Sequence, residues 1–364
     1  MAELLKNMYN AEYIRALAED IRKVYAPFPV EEFIASTMDS TWDSLELKAR
    51  GRQITLNLGK FLPQDYTAAI GVIDKVVVNC GSWLDGLALF FPDFVEVYGQ
   101  DEANWDISMA ALERYTPHAS AEFAVRPFII NHQERMMAQM RAWATHKNEH
   151  VRRLASEGCR PALPWGVALN AFKKDPAPVL PILEQLKADP NLYVRKSVAN
   201  NLNDISKTHP GLVSQIAKAW YGKNENTDWV VKHGCRTLLK KGNRDVLAIF
   251  GFGNADAVKV SDFALAAATA TIGGEISFSF KLATSAATKV RLEYGVDYVK
   301  ANGKQSRKIF QISEMAMKEN TTKLYTKSHA LADHSTRKHY PGVHAITLIV
   351  NGVEQGTAEF ELVK

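Results

Sequence analysis

One short run, HVRRLASEGCRPALPWG at residues 150–166, concentrates acids, arginines and an aromatic residue. It begins as an amphipathic helix presenting Arg152 and Arg153. It then places Glu157, Arg160 and Trp165 within nine residues and breaks on Pro161 and Pro164. Two further acids stand in comparable settings, Glu122 in SAEFAVRPF and Asp204 in NNLNDISK. A carboxylate fixed in a partly dry site stabilises a developing cation, or orients and deprotonates a water. An indole face attracts a cation by roughly 0.5–2 kcal/mol. The plainer alternative is that each acid pairs with a neighbour, and Glu157 lies one helical turn after Arg153. The company of the acids favours chemistry: carboxylates weaken a grip on a polyanion, yet these lie beside a series of cations.

Those cations recur. NEHVRRLASEG, DPNLYVRKSVANNL and NTDWVVKHGCRTLL align on Val151, Val194 and Val231, 43 and 37 residues apart. Each has a polar candidate for the helix cap, then an apolar residue followed by a basic one. In the second segment Asp189 followed by Pro190 reads as a helix start, with a cap acceptor and proline at the first helical position. Period and pattern predict the second helices of HEAT-type pairs stacked into a curved solenoid. Arg152, Arg153, Arg195, Lys196 and Lys232 then fall at matching repeat positions and form a basic stripe, to which Arg160 adds.

Helical spacing runs from residue 3 to about 248, and the texture changes near Phe250. After it come alternating segments, EISFSFKL, KVRLEYGV, RKIFQIS, TKLYTKS, HAITLIV and GTAEFELV. Asn302-Gly303 and Asn351-Gly352 signal tight hairpin turns in which both central residues have φ > 0. Roughly seven short strands in about 110 residues predict a β-sandwich of immunoglobulin type. The fold class is therefore multidomain: an all-α HEAT-like repeat solenoid over residues 1–250, then an all-β immunoglobulin-like sandwich over 255–364. The chain of 364 residues, 46% of them hydrophobic, supports two such cores.

Charge follows the same division. Residues 1–120 carry 10 Lys+Arg against 18 Asp+Glu, residues 121–250 carry 20 against 11, and residues 281–338 carry 12 against 5. Two basic regions separated in sequence suggest a polyanion held from two sides, with Lys304, Arg307 and Lys308 of NGKQSRK on the sandwich. His329, His334, His339 and His344 are five residues apart, which matches neither helix nor strand faces, so no metal site is expected. Cys80, Cys159 and Cys235 are scattered and form neither a disulfide framework nor a zinc motif. No Walker loop is present. The other six tryptophans, Trp42, Trp83, Trp105, Trp143, Trp220 and Trp229, are assigned to the core. With no apolar run long enough to span a membrane and no signal-peptide pattern, a cytoplasmic location is expected.

HVRRLASEGCRPALPW, DPNLYVRKSVANNLNDISK and SAEFAVRPF together resemble the AlkC branch of the HEAT-like-repeat alkylpurine DNA glycosylases. The resemblance covers the helical region, and many members of that branch add an immunoglobulin-like domain. It implies hydrolytic removal, without metal or cofactor, of bases alkylated to a cationic form, chiefly 3-methyladenine and 3-methylcytosine. The partner it implies is bent double-stranded DNA, bound by a monomer at the nucleoid. Matched motif to motif, Glu122, Glu157 and Asp204 are the acidic cluster, and Trp165 is the aromatic wall at the lesion. Two rival readings are a non-catalytic HEAT scaffold, which has no need of clustered acids, and a DNA-structure-binding protein, which would keep the basic stripe and lose them.

Overall fold

The computed structural model describes residues 5–79, 88–253, 255–333 and 338–364. Cys80, Trp83 and His334 lie outside the described residues. The described chain contains sixteen α-helices followed by eight β-strands. The helices are α1 (Ala11–Val24), α2 (Val30–Thr37), α3 (Leu47–Phe61), α4 (Tyr66–Asn79), α5 (Phe90–Tyr98), α6 (Trp105–Tyr115), α7 (Val125–Asn131), α8 (Gln133–Trp143), α9 (Glu149–Glu157), α10 (Asn170–Lys174), α11 (Leu180–Leu186), α12 (Leu192–Ile205), α13 (Pro210–Trp220), α14 (Glu225–Gly234), α15 (Arg236–Lys240) and α16 (Arg244–Ile249). None is long and apolar enough to cross a membrane.

The chain forms two compact units. The first comprises residues 1–208 and 222–234; the second comprises 209–221 and 235–364. Helices α13, α15 and α16 thus group with the strands.

In the first unit the three aligned segments are helices α9, α12 and α14, which pack in succession. Val151, Leu154 and Ala155 bury one face of α9, and Val194, Val198, Leu202 and Ile205 bury the matching face of α12. Gly234 allows the close approach of α14, since a Cβ there would lie 2.8 Å from Leu202. Asn148 caps α9 by accepting from the His150 amide. The start of α12 differs from expectation. Asn191, not Asp189, is its cap, accepting from the Tyr193 amide at 2.8 Å. Asp189 sits two residues earlier, accepting from the Asn191 amide and pairing with Arg152 across the repeat. Its carboxylate has a long-range partner that a local cap rule does not see.

A polar seam fixes the register of α9 against α12. Ser197 Oγ donates to Ser156 Oγ at 3.0 Å, and the Asn201 amide donates to the Ser156 carbonyl at 2.8 Å. All three side chains are buried, so a slip of register would leave polar groups without partners. The same register sets the end of α9 opposite the end of α12.

In the second unit β1 (Val258–Leu265), β3 (Glu275–Thr284) and β6 (Thr322–Ala330) form one antiparallel sheet in the order β1-β3-β6. The other sheet, in the order β2-β8-β7-β4-β5, contains β2 (Thr269–Thr271), β4 (Thr288–Val299), β5 (Gln305–Met317), β7 (Gly342–Val350) and β8 (Val353–Val363). Alternating residues such as Phe278, Phe280, Leu292, Val296, Leu348 and Phe360 fill the core. Asn351 and Gly352 have φ of 48° and 76°, the doubly positive pair that a tight primed turn demands. At 302–303 only Gly303 is positive, at 74°, and the Lys300 amide instead donates to the Lys304 carbonyl across a longer loop.

The sandwich histidines take internal partners. His329 lies between the hydroxyls of Tyr294 and Tyr298, His339 meets Asp333, and His344 meets the Tyr340 carbonyl. Among the described residues no group of His, Cys, Asp and Glu is disposed to hold a metal. Trp42, Trp105, Trp143 and Trp220 are buried, whereas Trp229 is half-buried and stacked on His233.

Candidate active site

The three acids meet in one alternating chain of charges, all of it within the first unit. Glu122 pairs with Arg153 and accepts from Ser120 Oγ at 2.7 Å. Arg153 reaches Glu157 at 3.4 Å. Glu157 accepts from Arg160 at 2.6 Å, Arg160 Nε donates to Asp204 at 2.8 Å, and Asp204 ends the chain on Lys207 at 2.8 Å. Glu157 is 5% exposed and Asp204 4% exposed. The local pairing of Glu157 with Arg153 is therefore real but is not a surface pair. It belongs to a largely buried network, partly exposed at Glu122 and Arg153, in which three carboxylates share two guanidinium groups.

Burial pulls the Arg160 guanidinium downward, but Glu157 and Asp204 outweigh it and hold the group above its ordinary range. Arg160 therefore stays charged at any working pH and keeps the two acids apart. Arg153 also lies 5.0 Å over the ring of Tyr193, which is partly exposed beside the network.

Chain geometry explains why the acid and the tryptophan share one bend. Helix α9 ends at Glu157, and Pro161 lacks the amide that a further turn would need. The buried Arg126 of α7 then gathers the loop. Its guanidinium donates to the carbonyls of Gly158, Arg160 and Val167. Burial brings this group down to about 10. Trp165 adopts φ +62°, a left-handed conformation that costs a non-glycine residue about 1–3 kcal/mol and is kept only where the surroundings over-determine it. The residue is 73% exposed, and its indole makes no hydrogen bond or ring contact among the described residues. Cys159, beside the network, is buried; desolvation pushes its thiol up to about 12, which leaves it inert as a nucleophile.

The sequence-derived cations divide into two groups. Arg152 pairs with Asp189 at 2.7 Å and donates to the carbonyls of His146 and Lys147. Arg195 donates in the same way to the carbonyls of Asp189 and Pro190. At two of the three repeats the position thus staples the turn that leads into the helix, α9 and α12. Arg153 and Arg160 are held by the acids, and Arg307 by Asp297 and Glu354. Lys196, Lys232, Lys304 and Lys308 are exposed. Arg152→Ala is accordingly expected to lower stability by about 1–3 kcal/mol, read as a shift in urea midpoint. Its effect on the salt slope of DNA binding separates this staple from a phosphate contact. An unchanged midpoint with a flattened slope would show that the group serves DNA instead.

Sequence reasoning did not single out Ser120, Arg126, Tyr193, Lys207 or Lys48. Ser120 stands two residues before Glu122 and Lys207 three residues after Asp204, the two local signals among them. Arg126, Tyr193 and Lys48 act across 32 to 117 residues of chain.

Known proteins resemble the chain over nearly its whole length. Residues 116–238 match a family described as "DNA alkylation repair enzyme", and residues 259–364 match one described as "Uncharacterised protein YhaZ, C-terminal Ig-like domain". The chain is 46% identical over 359 residues to the uncharacterized protein YhaZ of Bacillus subtilis (strain 168), covering 98% of this chain and 99% of that protein. It superposes with a TM-score of 0.93 on the Pseudomonas fluorescens alkylpurine DNA glycosylase AlkC bound to DNA containing an abasic site analog, with 36% identity over 99% of each chain. The chain therefore belongs to the DNA alkylation repair enzymes, as a DNA glycosylase of the AlkC type.

Proposed function

We propose that the protein is a monofunctional glycosylase that hydrolyses the N-glycosidic bond of cationic alkylated bases, 3-methyladenine and 3-methylcytosine, in double-stranded DNA. The observation that carries this reading is the chain Glu122–Arg153–Glu157–Arg160–Asp204, buried from Glu157 to Asp204 and partly exposed at Glu122 and Arg153, in which arginines fix the carboxylates. A base alkylated at N3 is positively charged and leaves with the electron pair of its glycosidic bond, so no strong general acid is needed. The sugar left behind has oxocarbenium character. A carboxylate of the cluster stabilises that cation, and water adds to the anomeric carbon and gives its proton to the carboxylate. The same negative charge favours a cationic base over a neutral one. Trp165 offers its face to the lesion nucleotide, and its attraction for a cation adds to that preference. The exposed Lys196 and Lys232 on the helical repeats, and Lys304 and Lys308 on the sandwich, take the phosphates of a bent duplex bound by a monomer. The lysine that ends the acid chain, Lys207, is tied to Asp204 in an ion pair, which supports hydrolysis without strand cleavage.

The test is incubation of the purified protein with methylated duplex DNA in the presence of EDTA. Release of free 3-methyladenine and 3-methylcytosine, with strands that break only after alkali, is the expected outcome. Loss of activity with EDTA, or a requirement for iron and a 2-oxo acid, would exclude this mechanism.

A further inference from the structure

Trp165 presents a bare indole from a strained backbone, and among the described residues the side chain that bonds its carbonyl comes from 117 residues earlier in the chain. Lys48, near the start of α3, donates its ammonium to the Trp165 carbonyl at 2.8 Å across 117 residues. The same ammonium lies 4.1 Å from the ring centroid of Phe123, the residue after Glu122. One cation thus ties α3, the loop that carries Glu122 and the loop that carries Trp165. Arg126 anchors the Trp165 loop two residues further on, at Val167, and the Gly166 amide donates to the Leu163 carbonyl. Arg126 holds the chain beyond the bend, while the peptide that follows the left-handed residue is held from both sides, its Gly166 amide by the Leu163 carbonyl within the loop and its Trp165 carbonyl by Lys48 from α3.

We propose that Lys48 is a positioning residue for Trp165, holding the left-handed bend so that the indole stays presented to the lesion. The role at the lesion rests on the function proposed above; the latch itself does not.

Lys48 is a poor candidate for a phosphate contact. It forms part of the wall of a cavity of about 90 Å³ whose other walls include Arg52, Asp93, Glu96, Ser120 and Phe123. Desolvation raises the carboxyl groups of Asp93 and Glu96, and both feel the positive charge of Lys48. A phosphate approaching Lys48 would meet those two acids, which Arg52 bridges. The cation also has an acceptor and an aromatic face already, so it is committed to the protein.

Three variants test the latch in the full chain labelled with 5-fluorotryptophan. Trp165→Phe assigns the Trp165 resonance by ¹⁹F NMR without DNA. Lys48→Met is expected to move or broaden that resonance while the others keep their positions, and Lys48→Arg to return it toward the parent. In single-turnover excision Lys48→Met is expected to lose about tenfold or more in rate, since small misplacements of a positioned group are costly, with DNA affinity within about twofold of the parent. An unmoved Trp165 resonance in Lys48→Met would overturn the proposal. So would a loss confined to affinity with a salt slope flatter by about one unit, which marks a phosphate contact. Should the parent protein excise nothing, the functional reading fails, while the resonance of the DNA-free protein still decides the latch.

Discussion

Glu157→Gln is expected to slow single-turnover excision by roughly 10²–10³-fold, the loss found when one charge-stabilising group is removed from a transition state. DNA affinity should hold or rise, because a negative charge near the phosphates has gone. Glutamine keeps the size of the side chain and an oxygen that accepts from Arg160. Arg153 retains Glu122, and Arg160 retains Asp204, so neither guanidinium is stranded. The stability cost should therefore stay near about 1–3 kcal/mol. That combination separates the two meanings the acid had in the sequence. A carboxylate serving only the fold would lose stability and leave the rate per folded molecule alone. Rates measured on folded protein, confirmed by its urea midpoint, decide the matter. A Glu157→Gln protein that excises 3-methylcytosine at the parent rate sinks the assignment. The same measurement on Asp204→Asn and Glu122→Gln ranks the three acids.

The sequence displayed what short-range physics controls. Val151, Val194 and Val231 mark the repeat helices because an apolar residue followed by a cation reports one helix face. The Asn351-Gly352 turn shows because only a few residues accept two positive φ values in succession. The strands from Glu275 onward show because a half-buried sheet must alternate. What stayed hidden depends on partners far away. Strand β2 has three residues, too few to alternate, and exists because it pairs in parallel with β8 some ninety positions later. Strand β1 carries Asp262 at φ +53° beside a register shift, which breaks its pattern. Asp189 resembles a cap until Arg152 is placed against it. At the site, the acids and Trp165 could be named through their motifs, but not the order Glu122–Arg153–Glu157–Arg160–Asp204. That order requires helices α9 and α12 to be in register, and the register depends on Ser156, Ser197 and Asn201, three polar residues no periodicity would place in a core. The arginines were legible as charge and not as partners, because charge counts do not say whether a guanidinium faces solvent or a buried carboxylate.

Arg160 carries the largest stability effect expected of any residue in the chain of charges. It is 7% exposed and stands between two acids that are more deeply buried still. Arg160→Met fills much of the same volume but leaves Glu157 and Asp204 without their shared cation. Removing one partner from a buried ion pair typically costs about 3–5 kcal/mol, since the remaining charge is uncompensated. Arg153 and Lys207 soften this from either end, but Lys207 is about half exposed and screened by solvent. The expected result is a large drop in urea midpoint, with activity lost. The companion variant is Arg160→Met with Glu157→Gln and Asp204→Asn, in which no stranded charge remains. The cost of a stranded buried charge disappears when the charge itself is removed, and the amide side chains introduced at positions 157 and 204 keep Arg153 and Lys207 as hydrogen-bond donors, so the triple variant should recover much of the midpoint and none of the excision. Recovery of both would show that the acids serve only to balance Arg160. An Arg160→Met protein of parental stability, with weaker DNA binding and a flatter salt slope, would instead return Arg160 to the phosphate-binding stripe. The pairing seen here, a buried guanidinium shared by two carboxylates, makes the first pattern the expected one, with stability and catalysis separable only when all three charges are removed together.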